Sequence, residues 1–224
     1  MILLKLVIQL ECLKNKTMRI SYAITACNEH VELEKLLDIL NEHINPRDEI
    51  VVQMDSNVTE EVKKVALKYD IGTEYDYHRI WYPLNNDFAA FKNHLSSICS
   101  RDAIFQIDAD EYPHPKLLVN LPSILEANEE VDVFLVPRIN TVEDLTEDHI
   151  KKWGWRVEQG RVNFPDYQWR IWRNHRGVKW VNKVHERLDG FKMYANLPPI
   201  EECCLYHPKD IARQEQQNAY YKTL

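Results

Sequence analysis

Glycine is scarce in this chain, with only 5 among 224 residues. The Gly-rich loops that hold phosphates in dinucleotide-binding dehydrogenases and P-loop NTPases, G-x-G-x-x-G and G-x-x-x-x-G-K-[ST], occur nowhere in it. The sequence therefore disfavours both classes. Apolar residues make up 45% and charged residues 28%, which is ordinary for a globular protein with a sizeable core. The length favours one domain.

Cysteines are few and odd in number, and no apolar run is long. The 5 cysteines form neither C-x-x-C pairs nor zinc-ribbon spacing, so we expect free thiols in a reducing cytoplasm. We interpret the adjacent Cys203 and Cys204 as packing residues. No apolar run reaches the roughly 18 residues that cross a bilayer, and we expect no transmembrane segment.

The first 17 residues begin with an apolar run. Their apolar run is short, is interrupted by Lys5 and lacks a small-residue cleavage site, so we expect no secretory signal. Met18 directly precedes the first strand-like run. Residues 1–17 are therefore an N-terminal extension, either an extra strand or a start-codon artefact.

Positive charge is concentrated in residues 151–192, which we call the basic segment. It holds eleven Lys or Arg and four Asp or Glu, a net charge of +7, whereas the remainder carries −14. Such a segment suggests a surface for phosphorylated ligands or nucleic acid. The alternative is a tryptophan-rich subcore edged by solvated cations. Five of the six tryptophans lie in it: Trp153, Trp155, Trp169, Trp172 and Trp180.

Strands and helices are predicted to alternate up to residue 137. This alternation favours an α/β fold, with a mostly parallel sheet covered by helices on both faces. Asn28, Thr59, and Asn86 or Asp87 are predicted helix caps. Strands are predicted at 19–26, 49–54, 75–80, 103–107 and 131–137, with two more at 167–173 and 178–188, and helices at 116–127 and 208–221.

Carboxylates collect where the predicted strands end, because Glu29 follows the first, Asp55 the second, and Asp108, Asp110 and Glu111 the fourth. Ligands of open α/β sheets bind at this edge. The i and i+2 aspartates of D-A-D-E lie on the same side of an extended backbone. Such a cluster is costly unless a cation neutralises it, and its hard oxygens suit Mg²⁺ or Mn²⁺ shared with substrate phosphates. The alternative is a polar loop that opens the next helix.

Seven short motifs, taken in order, resemble glycosyltransferases of the A fold, and most closely the inverting family 2 enzymes. Together they cover residues 18–224, and their order carries the resemblance. They are I-S-Y-A-I-T-A-C-N-E (20–29), V-V-Q-M-D-S (51–56), F-K-N-H-L (91–95), F-Q-I-D-A-D-E (105–111), F-P-D-Y-Q-W-R-I-W-R-N (164–174), G-V-K-W-V-N-K-V-H-E (177–186) and Y-H-P-K-D (206–210).

The resemblance implies an α/β, Rossmann-like nucleotide-binding sheet with a C-terminal extension on the acceptor side. Within a single domain at 18–224, residues 18–137 would bind the nucleotide sugar and 138–224 the acceptor. The implied activity is metal-dependent transfer of a sugar from a nucleotide sugar, with a UDP-sugar as the expected donor, to an acceptor hydroxyl with inversion. A small glycan or a lipid-core sugar is the expected acceptor.

The resemblance also implies roles at the donor. Asp55 would contact the base. Lys92 stands before Asn93 where the family usually has Arg, and this difference leaves its donor contact open. Residues beside the first strand would line the nucleotide pocket, namely Thr25, Ala26, Asn28 and Glu29.

For the metal, the resemblance implies that Asp110 binds the Mn²⁺ or Mg²⁺ that bridges the donor diphosphate. Asp108 would lie near the ribose or the metal. His207 matches a late histidine that completes the metal or diphosphate site in several such enzymes. The alternative for His207 is a surface histidine before Pro208.

Charge develops on the leaving nucleoside diphosphate, and a cation together with Arg or Lys can offset it. Our candidates are Arg170, Arg173 and Lys183. A general base must also deprotonate the acceptor. We favour Glu186 in V-H-E, with Asp166 as second choice; the alternative for Glu186 is an ion pair with Arg187 or Lys183. We expect His185 to orient a neighbour or the acceptor, not to bind metal.

Three other functions stay open. The acceptor could be a hydroxylated base in DNA, with the basic segment holding the phosphate backbone and a flipped base. The chain could instead be a nucleotide-sugar-binding module without turnover, although the intact D-A-D-E disfavours this. A nucleotidyltransferase shares the carboxylate–metal chemistry but normally has a Gly-rich basic loop after the first strand, and A-C-N-E-H is not one.

Overall fold

A computed structural model describes residues 18–70, 75–174 and 177–215. The predicted N-terminal extension and residues 216–221 of the predicted closing helix lie outside these ranges. Within the ranges, no helix combines the length and the apolar character needed to cross a membrane.

Strands and helices alternate over the first half of the described chain, as predicted. A short 3₁₀ helix covers Glu201–Cys203. The helices are α1 (His30–His43), α2 (Glu60–Asp70), α3 (Phe88–Ile98), α4 (Pro115–Ala127) and α5 (Glu147–Trp153). The strands are β1 (Ile20–Ala26), β2 (Glu49–Met54), β3 (Asp76–Trp81), β4 (Ala103–Asp108), β5 (Tyr112–Pro113), β6 (Val133–Glu143), β7 (Val157–Glu158), β8 (Arg161–Arg173), β9 (Lys179–Val181), β10 (Arg187–Asp189), β11 (Tyr194–Asn196) and β12 (Leu205–Asp210).

The main sheet has ten strands, eight of them in the order β3-β2-β1-β4-β8-β6-β12-β5, with β11 beside β6 and β7 beside β8. Strands β3, β2, β1 and β4 are parallel. The long β8 is antiparallel to both β4 and β6, and β12 is parallel to β6. The predicted α/β class, with a mostly parallel Rossmann-like sheet, is confirmed. Strand β8 joins the parallel strands β3, β2, β1 and β4 to β6 and β12.

Helices cover both faces of the sheet because side chains alternate along each strand. On β1, Ile20, Tyr22 and Ile24 pack in the core that includes the apolar stripes of α1, α2 and α4. Ala23 points the other way, into a second core with Leu95 of α3 and the β9–β10 hairpin. Each buried Leu or Ile contributes roughly 1.5–3 kcal/mol relative to an exposed one, so both cores hold the sheet in register.

The structure differs from the prediction at three local features. The N-cap of α1 is Glu29, not Asn28, and its carboxylate accepts the N–H groups of Cys27 and Asn28 at 2.9 and 3.0 Å. The strand predicted at 178–188 is interrupted by a loop with positive φ at Asn182 and His185. The helix predicted from residue 208 begins only after β12, because pairing with β6 continues to Asp210 and overrides local helical preference.

At the open end of the β9–β10 hairpin, Gly190, directly after β10, closely approaches Gly177, which precedes β9. Gly190 has a φ of +84°, and a Cβ there would overlap the carbonyl oxygen of Gly177. Gly160, between β7 and β8, has a similar φ of +75° but open space around it. Alanine substitutions at these two glycines therefore distinguish the cost of backbone strain from the cost of steric overlap.

We expect Gly190→Ala to destabilise the protein more than Gly160→Ala. Both variants impose the left-handed cost of about 1–2 kcal/mol on alanine, and only Gly190→Ala adds an overpacking cost of roughly 1–3 kcal/mol. Urea denaturation followed by circular dichroism measures both. Equal free energies of unfolding in the two variants would contradict the close approach to Gly177.

Candidate active site

The carboxyl ends of β1, β2 and β4 open onto a cavity of about 630 Å³ whose other walls come from α3, β6, β8, β12 and the loop after β9. Most of the predicted site residues line it. These are Thr25, Ala26, Glu29, Asp55, Lys92, Asp108, Asp110, Asp166, Arg170, Glu186 and His207, together with His185. Among the described residues, the predicted Asn28, Arg173 and Lys183 lie outside this lining.

Lys92 connects α3 to two acids of the cavity. Its ammonium lies 2.7 Å from Oε1 of Glu186 and 3.5 Å from Oδ1 of Asp108, and it lies over the Trp180 ring. The other oxygen of Asp108 accepts a hydrogen bond from Arg170 at 2.7 Å. Burial opposes ionisation of Asp108, yet Arg170 and Lys92 hold the pKa of its carboxyl well below the usual value.

Arg170 continues this series of ion pairs toward β6. Its guanidinium donates to both oxygens of the buried Glu111, at 2.9 and 2.8 Å. Glu111 also accepts from Arg138 at 2.7 Å, and Arg138 donates to Asp166 at 2.7 Å. Burial favours the neutral form of Glu111, but Arg170 leads the groups that lower the pKa of its carboxyl.

The result is a continuous ladder of seven side chains with alternating charge, which we call the charge ladder. It connects the two predicted base candidates, one at each end. Because each buried charge has an opposite partner, removing one member leaves an uncompensated charge, at a cost of about 3–5 kcal/mol. In order, it runs Glu186, Lys92, Asp108, Arg170, Glu111, Arg138 and Asp166.

Asp110 lies outside the charge ladder, beside the end of β12. Its Oδ2 is 3.2 Å from Nε2 of His207 and 3.3 Å from Arg213. Burial raises the pKa of the Asp110 carboxyl, but His207 and Arg213 together outweigh this and lower it to about 2. Burial lowers the pKa of the His207 ring.

Asp110 and His207 offer one oxygen and one nitrogen ligand on the same side of the cavity. Both oxygens of Asp108 are engaged, by Thr25, Gln106 and the charge ladder. Across residues 18–70, 75–174 and 177–215, no three Asp, Glu, His or Cys side chains converge as a complete metal site. Two protein ligands fit an Mg²⁺ or Mn²⁺ ion whose coordination is completed by substrate phosphates and water.

The residues predicted to bind the donor lie at and just beyond the carboxyl ends of β1 and β2. Asp55 accepts the backbone N–H of Leu84 at 2.8 Å, which ties the end of β2 to the loop before α3. Thr25 donates to Oδ1 of Asp108 at 2.9 Å. Oε2 of Glu29 accepts hydrogen bonds from the backbone N–H groups of Cys27 and Asn28, while Oε1 lies 3.6 Å from Arg213.

The two predicted base candidates have different surroundings. Oδ2 of Asp166 accepts two hydrogen bonds from Arg138 and one from Asn140, and Oδ1 accepts one from Gln168 at 2.7 Å. Burial raises the pKa of Asp166, but Arg138 and these donors lower it overall. For Glu186, the hydrogen bond from Lys92 is the one found among the described residues. Its Oε2 can therefore accept a hydrogen bond from a substrate hydroxyl.

The tryptophans of the basic segment divide between core and cavity. Trp172 and Trp180 are buried and pack edge to face, with ring centres 5.7 Å apart. Trp155 and Trp169 are half-buried and line the cavity. Trp153 stacks on His149 of α5. Cys203 and Cys204 are buried.

Arg173 is a structural residue. Residues three apart on a strand point to opposite faces, so Arg173 faces away from the cavity that Arg170 enters. It donates to the carbonyl oxygens of Leu125, Asn128 and Val131, at the C-terminus of α4 and just beyond. Lys183 is exposed, in the loop after β9.

Sequence reasoning missed Arg138, Asn140, Lys209 and Arg213. Lys209 lies in the Y-H-P-K-D motif, two residues after His207. Strand alternation would have placed the two on one face, but we predicted a helix from residue 208. Arg138 and Asn140 follow the predicted end of a strand that continues to Glu143.

We expect Arg173→Met to lower the free energy of unfolding by about 3 kcal/mol, because three buried carbonyls lose their donor. Below its reduced melting temperature, the variant should bind donor as the wild type does. Thermal denaturation and isothermal titration calorimetry with UDP measure the two quantities. Loss of UDP binding in a folded variant would restore the donor role first considered for Arg173.

Comparison with known proteins agrees with the resemblance inferred from the motifs. Residues 21–196 match the sequence profile of Glycosyl transferase family 2. The chain therefore belongs to this family of glycosyltransferases. No curated protein sequence matches it significantly.

Structures of Staphylococcus aureus TarS share this fold at low sequence identity. Staphylococcus aureus TarS is 13% identical with a TM-score of 0.59, over 85% of this chain and 37% of TarS. The TarS 1-349 fragment in complex with UDP-GlcNAc is 14% identical with a TM-score of 0.60, over 86% of this chain and 59% of the fragment. Mycobacterium tuberculosis glucosyl-3-phosphoglycerate synthase is 18% identical with a TM-score of 0.42, over 57% and 45%. The chain thus spans less than two thirds of each of these proteins.

Proposed function

We propose that the chain transfers a sugar from a UDP-sugar to an acceptor hydroxyl, with inversion and with Mn²⁺ or Mg²⁺ as cofactor. The observation that carries this proposal is the pairing of Asp110 with His207 beside the charge ladder, in a family 2 chain. In this proposal residues 18–137 form the nucleotide-sugar-binding half and 138–224 the acceptor-side half, from which His207 and Lys209 reach the donor diphosphate. The shared fold with TarS, which was crystallised with UDP-GlcNAc, supports UDP as the nucleotide.

The donor would occupy the wall formed by β1, β2 and β4. In this proposal Asp55, just after β2, contacts the base, and the ribose and diphosphate bind beside Thr25 and Asp108, which line the same cavity. Asp110 and His207 would hold the divalent cation. When bound, the cation supplies positive charge that offsets the charge developing on the diphosphate.

Lys209 is our candidate for the protein cation at the leaving group, in place of Arg173 and Lys183. Its side chain lines the cavity two residues after His207, on the same strand face. Burial lowers the pKa of its ammonium to about 8, so an incoming anion would stabilise its charged form. Arg170 is less suited, because Asp108 and Glu111 already neutralise it.

Glu186 is our candidate for the general base. The acceptor hydroxyl would give its proton to this carboxylate as the oxygen attacks the anomeric carbon. The bond from that carbon to the diphosphate breaks on the opposite face, and the bonding electrons leave with the diphosphate. Lys92 holds one carboxylate oxygen of Glu186 in place.

We expect Glu186→Gln to lower kcat by a factor of about 10²–10⁴, because an amide cannot take the acceptor proton. The affinity for UDP should stay within about threefold of the wild type. Glu158→Gln is the matched control, since Glu158 is an exposed acid of the same segment. Retention of wild-type kcat by Glu186→Gln would exclude Glu186 as the base.

We expect Lys209→Met to weaken UDP binding by about tenfold, because a charged hydrogen bond contributes roughly 1.5–3 kcal/mol. Lys64→Met removes an exposed lysine from α2 and serves as the control. Isothermal titration calorimetry with UDP and Mn²⁺ compares both with the wild type. Unchanged affinity in Lys209→Met would remove Lys209 from the donor site.

We propose that the acceptor is a sugar hydroxyl and not a hydroxylated base in DNA. Several cations of the basic segment have partners within the chain, which weakens the case for a phosphate-binding surface. Lys152, Arg156 and Arg161 form ion pairs with acids, and Arg170 and Arg173 are buried. The half-buried Trp155 and Trp169 offer flat apolar faces on the acceptor side. Salt-sensitive binding of duplex DNA would reverse this preference.

A further inference from the structure

Asn140 lies between Asp166 and the candidate metal ligand His207. It is on β6, directly opposite His207 in the parallel pairing with β12. Its Oδ1 is 2.8 Å from Nδ1 of His207, and its Nδ2 is 2.9 Å from Oδ2 of Asp166. One amide therefore contacts both side chains.

The orientation of this amide follows from the chemistry of Asp166. An ionised carboxylate only accepts hydrogen bonds, so the –NH₂ group of Asn140 must face Asp166. The amide oxygen then faces His207 and can only accept, so Nδ1 of His207 must carry a proton. Asp166, on β8, is itself held by Arg138, its cross-strand partner on β6.

The tautomer of His207 decides which ring nitrogen can bind a cation. With the proton on Nδ1, a neutral ring keeps its lone pair on Nε2, the nitrogen that lies 3.2 Å from Asp110. An imidazole nitrogen and a carboxylate oxygen then face each other, which is an arrangement that a shared cation completes. Histidines that bind metals usually donate their other N–H to a fixed acceptor.

We propose that Asn140 is a positioning residue that fixes the ring orientation and tautomer of His207, so that His207 and Asp110 bind the divalent cation together. Asp166 acts indirectly, because its carboxylate orients the Asn140 amide, and Arg138 in turn holds Asp166. This inference rests on the proposed function, since it needs the cation at Asp110 and His207. It also gives Asp166 a role other than that of base.

Asn140→Leu is the test variant, because it keeps the approximate shape of the side chain and removes both hydrogen bonds. Gln168→Met is the matched control. Gln168 donates to the other oxygen of Asp166, so its loss disturbs the same carboxylate and leaves the contact between Asn140 and His207 intact. Circular dichroism checks that both variants are folded.

Mn²⁺ binding is measured by electron paramagnetic resonance in the presence of UDP. We expect Asn140→Leu to weaken Mn²⁺ binding by about 10–100-fold and Gln168→Met by less than threefold. An unchanged Mn²⁺ affinity in Asn140→Leu would overturn the positioning role of Asn140 and leave the proposed function standing. Absence of Mn²⁺ binding in the wild type would overturn the cation in the proposed function, and the role of Asn140 with it.

The tautomer can be read without a variant of Asn140. Long-range ¹H–¹⁵N spectra of the metal-free wild type report which ring nitrogen is protonated, and a His207→Gln variant assigns the signals. We expect Nδ1–H for His207. Observation of an Nδ1 without a proton would overturn the inference whether or not the protein transfers sugar.

Discussion

The cavity depends on the burial of Arg170 between two acids. Arg170 and Glu111 are almost completely buried, and Asp108 is partly so. None of these charges would be stable alone at that depth, but together they satisfy one another and connect β4 and β8 to the loop after β4. Lys92 and Arg138 extend the same pairing to Glu186 and Asp166. The strand ends that form the cavity are therefore held together by electrostatics as well as by the apolar cores.

The charge ladder also gives the two aspartates of D-A-D-E different surroundings. Asp108 has its oxygens engaged by Thr25, Arg170 and Lys92, so it acts as an anchor. Asp110 is left at the cavity surface with His207, where a cation has one carboxylate and one imidazole available. A motif that looks symmetrical along the chain is thus asymmetrical in space, because one aspartate ends a strand and the other begins a turn.

Much of the fold was predictable because buried strands and amphipathic helices leave strong local patterns. The strands β1, β2 and β4 and the apolar faces of α1, α2 and α3 follow the sequence within about two residues. The errors fall where pairing partners distant in sequence decide the structure. Pairing with β6 extends β12 through residues predicted as helix, and the loop between β9 and β10 contains the left-handed residues Asn182 and His185.

The order of motifs along the chain was enough to identify the family and to bring most candidate residues to one cavity, because parallel strands collect their carboxyl ends at one edge. How the members of each candidate pair differ in their surroundings was decided only in three dimensions. Arg170 enters the cavity and Arg173 does not, Asp166 is saturated with donors while Glu186 is not, and Asn140 lies opposite His207 across 67 residues of chain. The physical reason is that charge pairing and hydrogen-bond direction depend on distances of a few ångströms, which residue types and spacing do not encode.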